Sequence, residues 1–260
     1  MKLELFLVSI LSLIPFGISA PKEDGNTKIV GGDPVNIYEH PHQVALLYFG
    51  SHICGGVLIL PRFVLTSVTC ITDGHPTQFS IRAGSSYANE GGIVVDVNKI
   101  HIHPNYNEFT FDFDVAILYL DSALYQDSTI DFANLVAAGT PIPAGIEATV
   151  TGWGTLGESG EVAHQLQEVK VNILSGDDCK EAYGDITITE NMLCAGVTGG
   201  GKDACVGDAG GPLQLNDQVI GLVSWGYPGY QIYGCGRPEY PGVYTNLAYC
   251  REWITSVTGA

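Results

Sequence analysis

The sequence predicts an all-β domain or a pair of barrels, closed by one C-terminal helix, and three observations predict it. Apolar runs are short: residues 43–49, 56–60, 114–120 and 219–224. They are separated by Gly, Pro, Asn and Asp, the residues that make tight turns, with 33 Gly and 13 Pro in 260 residues. Helical spacing is confined to the end of the chain, where Leu247, Cys250, Trp253, Ile254 and Val257 recur on one face behind a cap at Thr245 or Asn246.

Composition bounds what such a domain does. Hydrophobic residues make up 45% and charged residues 15%, so the chain can bury a sizeable core and is not disordered, collagenous or coiled-coil. The 11 Lys and Arg against 28 Asp and Glu give a net charge of -17. That balance excludes nucleic acid and anionic membrane surfaces as charge-driven partners, because both require clustered cations.

Taken in chain order, residues 1–20 read as a cleaved secretory signal. Lys2 is the basic start, the apolar run from Leu5 to Phe16 is too short to span a bilayer, and Ile18-Ser19-Ala20 ends in small residues. Pro15 and Gly17 argue against a buried helix there. The product is expected to be secreted, with its cysteines mostly oxidised. Residues 21–28 are short and polar and stop at Lys28, before Ile29-Val30-Gly31-Gly32, which reads as a removable pro-segment. Removing residues 1–28 takes three basic and three acidic residues, leaving 8 against 25, so the acidity belongs to the folded body.

Seven pieces then follow in register. They are Ile29-Val-Gly-Gly; Cys54-Gly-Gly with Leu65-Thr66-Ser67-Val68-Thr69-Cys70; Asp112-Phe-Asp114-Val-Ala-Ile-Leu; Thr151-Gly-Trp-Gly; Asp203-Ala-Cys-Val-Gly-Asp208-Ala209-Gly-Gly-Pro-Leu; Ser224-Trp-Gly226; and Pro241-Gly242-Val-Tyr. Together they resemble the trypsin-like serine proteases from Ile29 to Ala260. The resemblance implies two six-stranded antiparallel barrels, at about 29–123 and 140–245, with the cleft between them and a helix at about 246–257.

The family's reaction uses a Ser nucleophile, a His that takes and returns its proton, and a buried Asp that orients the His. Here Thr69 stands where the family motif has His, and Ala209 where it has Ser; Asp114 remains. A Thr hydroxyl does not titrate near neutrality and a methyl group attacks nothing. Loss of the unit costs about a millionfold in turnover. The expectation is therefore a chain that is not an enzyme. The change at Ser67-Val68-Thr69 also argues against a simple laboratory knockout. Asp114 is expected to be a buried remnant bonded by backbone or hydroxyl groups, Thr69 among them.

The rest of the scaffold carries further expectations. Cleavage before Ile29 would free an amino terminus to pair with Asp208, and breaking a buried pair of that kind costs about 3 to 5 kcal/mol. The backbone N–H groups of Gly207 and Ala209 can form an oxyanion hole. Asp203, Gly226 and Gly242 match the floor and open walls of a pocket for Arg or Lys. An insert after Gly226, with Tyr227, Pro228, Tyr230, Ile232 and Tyr233, is expected to close that pocket, a Tyr hydroxyl or Arg237 satisfying Asp203; an ordinary longer surface loop is the alternative. His101 and His103 share one strand face but lack a third ligand nearby, so neither metal nor cofactor is expected. The resemblance pairs Cys54 with Cys70, Cys179 with Cys194, and Cys205 with Cys235. Cys250 is left over, either an inert buried thiol or the link of a disulfide dimer. No Asn-x-Ser/Thr sequon is present.

The triad pattern and the Lys28-Ile29 junction resemble the scabies mite inactivated serine protease paralogues, relatives of the mite group 3 allergens. That resemblance implies a pseudoprotease that binds host proteins through an exosite and inhibits complement. A decoy or regulator of active proteases or inhibitors, a weak residual protease, and a structural or storage protein stand as alternatives.

Overall fold

The computed structural model describes residues 30–71, 74–157, 160–226 and 234–260. The expected signal, the pro-segment, Ile29 and the insert residues Tyr227, Pro228, Tyr230, Ile232 and Tyr233 lie outside them.

After a two-residue strand β1 (Asp33–Pro34), six strands form the first barrel: β2 (Gln43–Tyr48), β3 (Ser51–Leu60), β4 (Phe63–Thr66), β5 (Phe79–Ala83), β6 (Ile93–Ile102) and β7 (Ala116–Leu120). They close in the order β2-β3-β4-β7-β6-β5, with β5 returning to β2. Val44, Leu46, Leu58, Val64, Ile81 and Leu118 fill the interior. The opposite face of β2, Ala45 and Leu47, is also buried, against Val35, Trp153 and Leu166. Burial on both faces is why residues 43–49 read as an unbroken apolar run.

A short parallel strand β8 (Asn134–Leu135) precedes the second barrel, built from β9 (Glu147–Gly152), β10 (Gln167–Ile173), β11 (Met192–Gly196), β12 (Pro212–Leu215), β13 (Gln218–Trp225) and β14 (Gly242–Asn246). Its order is β9-β10-β11-β14-β13-β12, and both β12 and β10 pair with β9, which closes the ring. Along β10 the alternation is regular: Val169, Val171 and Ile173 point in, while Lys170 and Asn172 face water. β1 pairs with β10, so the start of the described chain belongs to the second barrel's sheet and straps the two halves together.

The C-terminal helix runs over Leu247–Thr258, capped by the Asn246 side chain, which accepts from the Ala248 N–H at 3.1 Å. Leu247, Cys250 and Ile254 are its buried face. A shorter helix that the sequence reading missed, Gly176–Tyr183, is held at its start by Ser175, whose Oγ accepts from Asp178 N at 3.1 Å.

The barrels meet where glycines let backbones touch. A Cβ on Gly55 would lie 2.9 Å from Gly211 Cα, and one on Gly210 2.6 Å from the Gly55 carbonyl oxygen. Gly55 N–H donates across this seam to the Ala209 carbonyl at 2.8 Å. The three disulfides join Cys54 to Cys70, Cys179 to Cys194 and Cys205 to Cys235. Cys250 is free and buried, and burial pushes its thiol up to about 12. Three disulfides fit an oxidising, extracellular compartment. Among the described residues no helix is long and apolar enough to cross a membrane.

Candidate active-site cleft

Asp114 sits at the end of the loop leading into β7, in the seam between the barrels. It has no solvent exposure. Its carboxylate accepts from the Thr69 N–H at 3.0 Å, from the Thr69 hydroxyl at 3.2 Å and from the Ser224 hydroxyl at 2.6 Å. Burial outweighs these bonds and raises its pKa above the usual carboxylate value. Thr69 is placed by the single turn Val68–Cys70 after β4 and by the Cys54–Cys70 disulfide; Ser224 comes from β13, across the seam. The backbone before Asp114 is bent by left-handed residues at Phe111 and Phe113, φ 57 and 53. Phe113 is stacked on His103, centroids 4.4 Å apart, and Asp112 is held by Thr189 and Asn191, interactions that offset the strain. His103 is also capped by Trp253 at 4.7 Å, so it packs as an aromatic. Among the described residues no three His, Cys, Asp or Glu side chains gather as a metal site.

The loop before β12 forms the next part. Asp208 is fully buried and accepts from Gly154 N at 2.7 Å and Cys205 N at 2.8 Å. Burial raises its pKa to about 6. A Cβ on Gly152 or Gly154 would collide with its carboxylate, which explains the two glycines beside Trp153. Asp208 N donates to Cys205 O at 3.0 Å, Gly210 N to Val223 O at 2.8 Å and Gly211 N to Asp208 O at 2.9 Å. Gly207 takes φ 95, a left-handed backbone that a side chain would strain. Within this fixed turn the N–H groups of Gly207 and Ala209 have no hydrogen-bond partner among the described residues, and both residues are part-exposed. The Ala209 methyl packs against the first barrel's core.

Asp203 lies deeper, on the chain between β11 and β12. It is 5% exposed. Gly236 N donates to its Oδ2 at 2.9 Å and the Ala204 N–H also reaches the carboxylate, while Oδ1, itself buried, has no hydrogen-bond partner among the described residues. Burial, and secondarily Asp208, raise its pKa to about 7. A Cβ on Gly242 would stand 2.6 Å from that Oδ1, so a side chain there would collide with the carboxylate; one on Gly226 would meet nothing within 4 Å. Asp203 also borders a cavity of about 390 Å³ walled by residues 197–200 and 236–242. Its N–H donates to the Val30 carbonyl at 3.3 Å, which ties the chain just after Ile29 to the pocket floor. Among the described residues the hydrogen bonds to Asp203 come from backbone N–H groups; the Tyr hydroxyls of the insert, which the sequence offers beside Arg237 as partners, lie outside the described residues.

Thus the fold gathers Thr69, Asp114, Asp203, Asp208 and Ala209 around one cleft between two barrels. A family model described as Trypsin matches residues 29–254. The chain belongs to the trypsin family. A vitellin-degrading protease of Bombyx mori is 40% identical over 95% of this chain and 92% of that protein. A trypsin of Phaedon cochleariae is 38% identical over 94% and 95% respectively, and trypsin eta of Drosophila melanogaster 38% over 97% and 96%. These names correct the expectation of a non-enzyme: membership of a family whose matched relatives are named proteases, over nearly the whole chain, points to an enzyme. The expectation weighed two positions, 69 and 209, against a likeness that spans the molecule. Ser224 is the cleft residue whose role the sequence reading missed; its signal was the Ser-Trp-Gly piece, which was read only as family likeness.

Proposed function

We propose that this trypsin-family chain is a secreted protein that captures polypeptides by a Lys or Arg side chain, the cation resting on Asp203 and the adjoining main chain meeting the N–H groups of Gly207 and Ala209. The observation that carries the reading is the Oδ1 of Asp203, which has no hydrogen-bond partner among the described residues. A buried carboxylate with an open lone pair is costly to keep unless a cation arrives to occupy it. Gly242 keeps a side chain from colliding with that oxygen. With a hydroxyl at 69 committed to Asp114 and a methyl at 209, turnover in this cleft rests on the N–H groups and on binding. Those features alone are worth about 10³ to 10⁴ over water. Capture of basic polypeptides in this way suits a decoy or regulator of proteases or their inhibitors.

Residues 1–20 and the three disulfides support secretion. The likeness to mite paralogues, with host complement components as partners, is a narrower case of such capture. Thr69, Ala209 and the charge of -17 support it; a complement haemolysis assay with micromolar protein tests it, inhibition being the expected result.

Calorimetric titration of the secreted protein with an arginyl peptide and its norleucine counterpart tests the main reading. The arginyl peptide is expected to bind at least about tenfold more tightly. Equal affinities would overturn it.

A further inference from the structure

Away from Asp203, the residues His40-Pro41-His42 just ahead of β2 are where the first barrel, the second barrel and the link between them meet. We infer that this segment is an acid-sensitive latch between the barrels, fastened by His40 and released when His42 takes up a proton.

His40 is 8% exposed and reaches across to the second barrel. Its Nδ1 lies 3.1 Å from the Gln214 side-chain oxygen on β12, and its Nε2 lies 3.0 Å from a Glu168 carboxylate oxygen on β10. A charged imidazole donates to both oxygens at once. A neutral one keeps the bond to Glu168 and meets Gln214 once that amide turns its NH2 toward Nδ1. The fastening therefore survives in either state of His40. Backbone bonds tie down the rest of the segment. The Asp131 N–H, from the link between the barrels, donates to the Pro41 carbonyl at 3.0 Å, and the Leu58 N–H of β3 donates to the His42 carbonyl at 2.8 Å.

His42 is held differently. Its Nε2 is closed to solvent and has no hydrogen-bond partner among the described residues. A proton added there places a donor and a charge where no acceptor waits, which is costly in a buried position. The titratable groups that face it among the described residues are His40, its ring edge-on with centroids 6.4 Å apart, and Asp131. Glu168 stands behind His40, and β3 meets the segment through the Leu58 backbone. Asp131 favours a charged ring, but it is exposed and its carboxylate already accepts from Gln126 and from the Phe132 N–H. Burial first, and His40 second, lower the His42 pKa to about 4.

The unfolded chain takes up the same proton near pH 6.5. A base whose folded pKa is lowered costs the fold nothing above about 6.5, and its penalty grows as pH falls toward about 4. Swinging residues 40–42 outward hydrates the ring and removes that penalty without unfolding either barrel. The motion breaks the His40 contacts with β10 and β12 and the bond between Asp131 and Pro41. β12 starts at Pro212, directly after the turn that carries Asp208, so the latch and the cleft share a strand.

Asp114, Asp203 and Asp208, with raised pKa values, push overall stability the opposite way as pH falls, so a local readout is needed. Amide hydrogen exchange on the intact protein at about pH 7 and about pH 4.5, corrected for intrinsic rates, supplies it. The Asp131 and Leu58 amides should lose at least about tenfold of their protection at the lower pH, while amides of the β4–β7 ladder keep theirs. His42→Gln, which cannot take up the proton, should keep its protection at both. His52→Gln removes another histidine whose Nε2 is shut off from solvent, and should behave as the parent does. No loss in the parent, or an equal loss in His42→Gln, overturns the proposal. Should His42→Gln not fold, the His42 ring proton followed by NMR in the parent decides: titration below about pH 5 supports the latch, and an ordinary value near 6.5 overturns it.

Discussion

Asp114 and Asp203 are both buried aspartates in one cleft, and the protein treats them in opposite ways. Asp114 is surrounded by donors from both barrels: Thr69 supplies two hydrogen bonds and Ser224 a third. Among the described residues Asp203 receives only backbone N–H groups and its Oδ1 has no partner. A carboxylate closed by its own protein is architecture; one left open is available to a ligand. On the reading proposed above, binding chemistry belongs to the pocket floor and structural chemistry to the seam.

The largest test of that contrast is Asp203→Asn. Arginyl peptide affinity should fall at least about thirtyfold, since truncating one partner of a buried charge pair costs about 2 to 5 kcal/mol. The same calorimetry on Asp114→Asn should show a change within about threefold; similar losses in both would erase the distinction.

Asp208→Ala comes next. It strips an acceptor from two buried N–H groups, Gly154 and Cys205, at about 1 to 3 kcal/mol each, partly offset by removing a costly buried charge. A net loss of about 2 kcal/mol should lower Tm by about 4 to 8 °C, and an unchanged thermal midpoint would refute the structural role.

pH sharpens the comparison further. Because the Asp203 pKa is raised to about 7, the pocket carries its charge only above that value. Affinity for an arginyl peptide should therefore fall about tenfold per pH unit below 7, as protonation competes with the ligand. The stability sign is opposite to that of a salt-bridged acid. A raised folded-state pKa stabilises the fold at low pH and withdraws that contribution as pH rises from about 4 to about 7. Asp203→Asn should flatten this slope in thermal unfolding scans, whereas a variant as pH-dependent as the parent would place the titration elsewhere.

The smallest effect is expected at Cys250. Buried on the last helix with its thiol held protonated, it behaves as a small hydrophobe. Cys250→Ala should cost roughly 1 kcal/mol by denaturant unfolding. The parent should run as a monomer on a non-reducing gel; a band at twice the mass that vanishes in the variant would establish the dimer.

Much of the fold was legible because its signals are local. Residues 43–49 and 219–224 became β2 and β13, and the spacing of Leu247, Cys250 and Ile254 became the last helix with Asn246 as its cap. Local signals failed where elements are short. The helix Gly176–Tyr183 has two turns and few apolar residues, so Ser175 and Asp178 were its only mark. The two-residue β1 is a strand only because β10 lies beside it. At the cleft, Thr69 was foreseen as a partner of Asp114, since it stands where the family motif has the His that this Asp orients. Ser224 was not, because 110 residues and a barrel boundary separate it from Asp114.

The amino-acid sequence by itself determined the identity of the groups: Thr at 69, Ala at 209, carboxylates at 114, 203 and 208, and glycines where backbones must touch. Only the tertiary structure decided which of those carboxylates is closed and which stays open. Hydrogen-bond satisfaction depends on the donors that packing brings within about 3 Å, and here they come from strands of two barrels far apart in the chain.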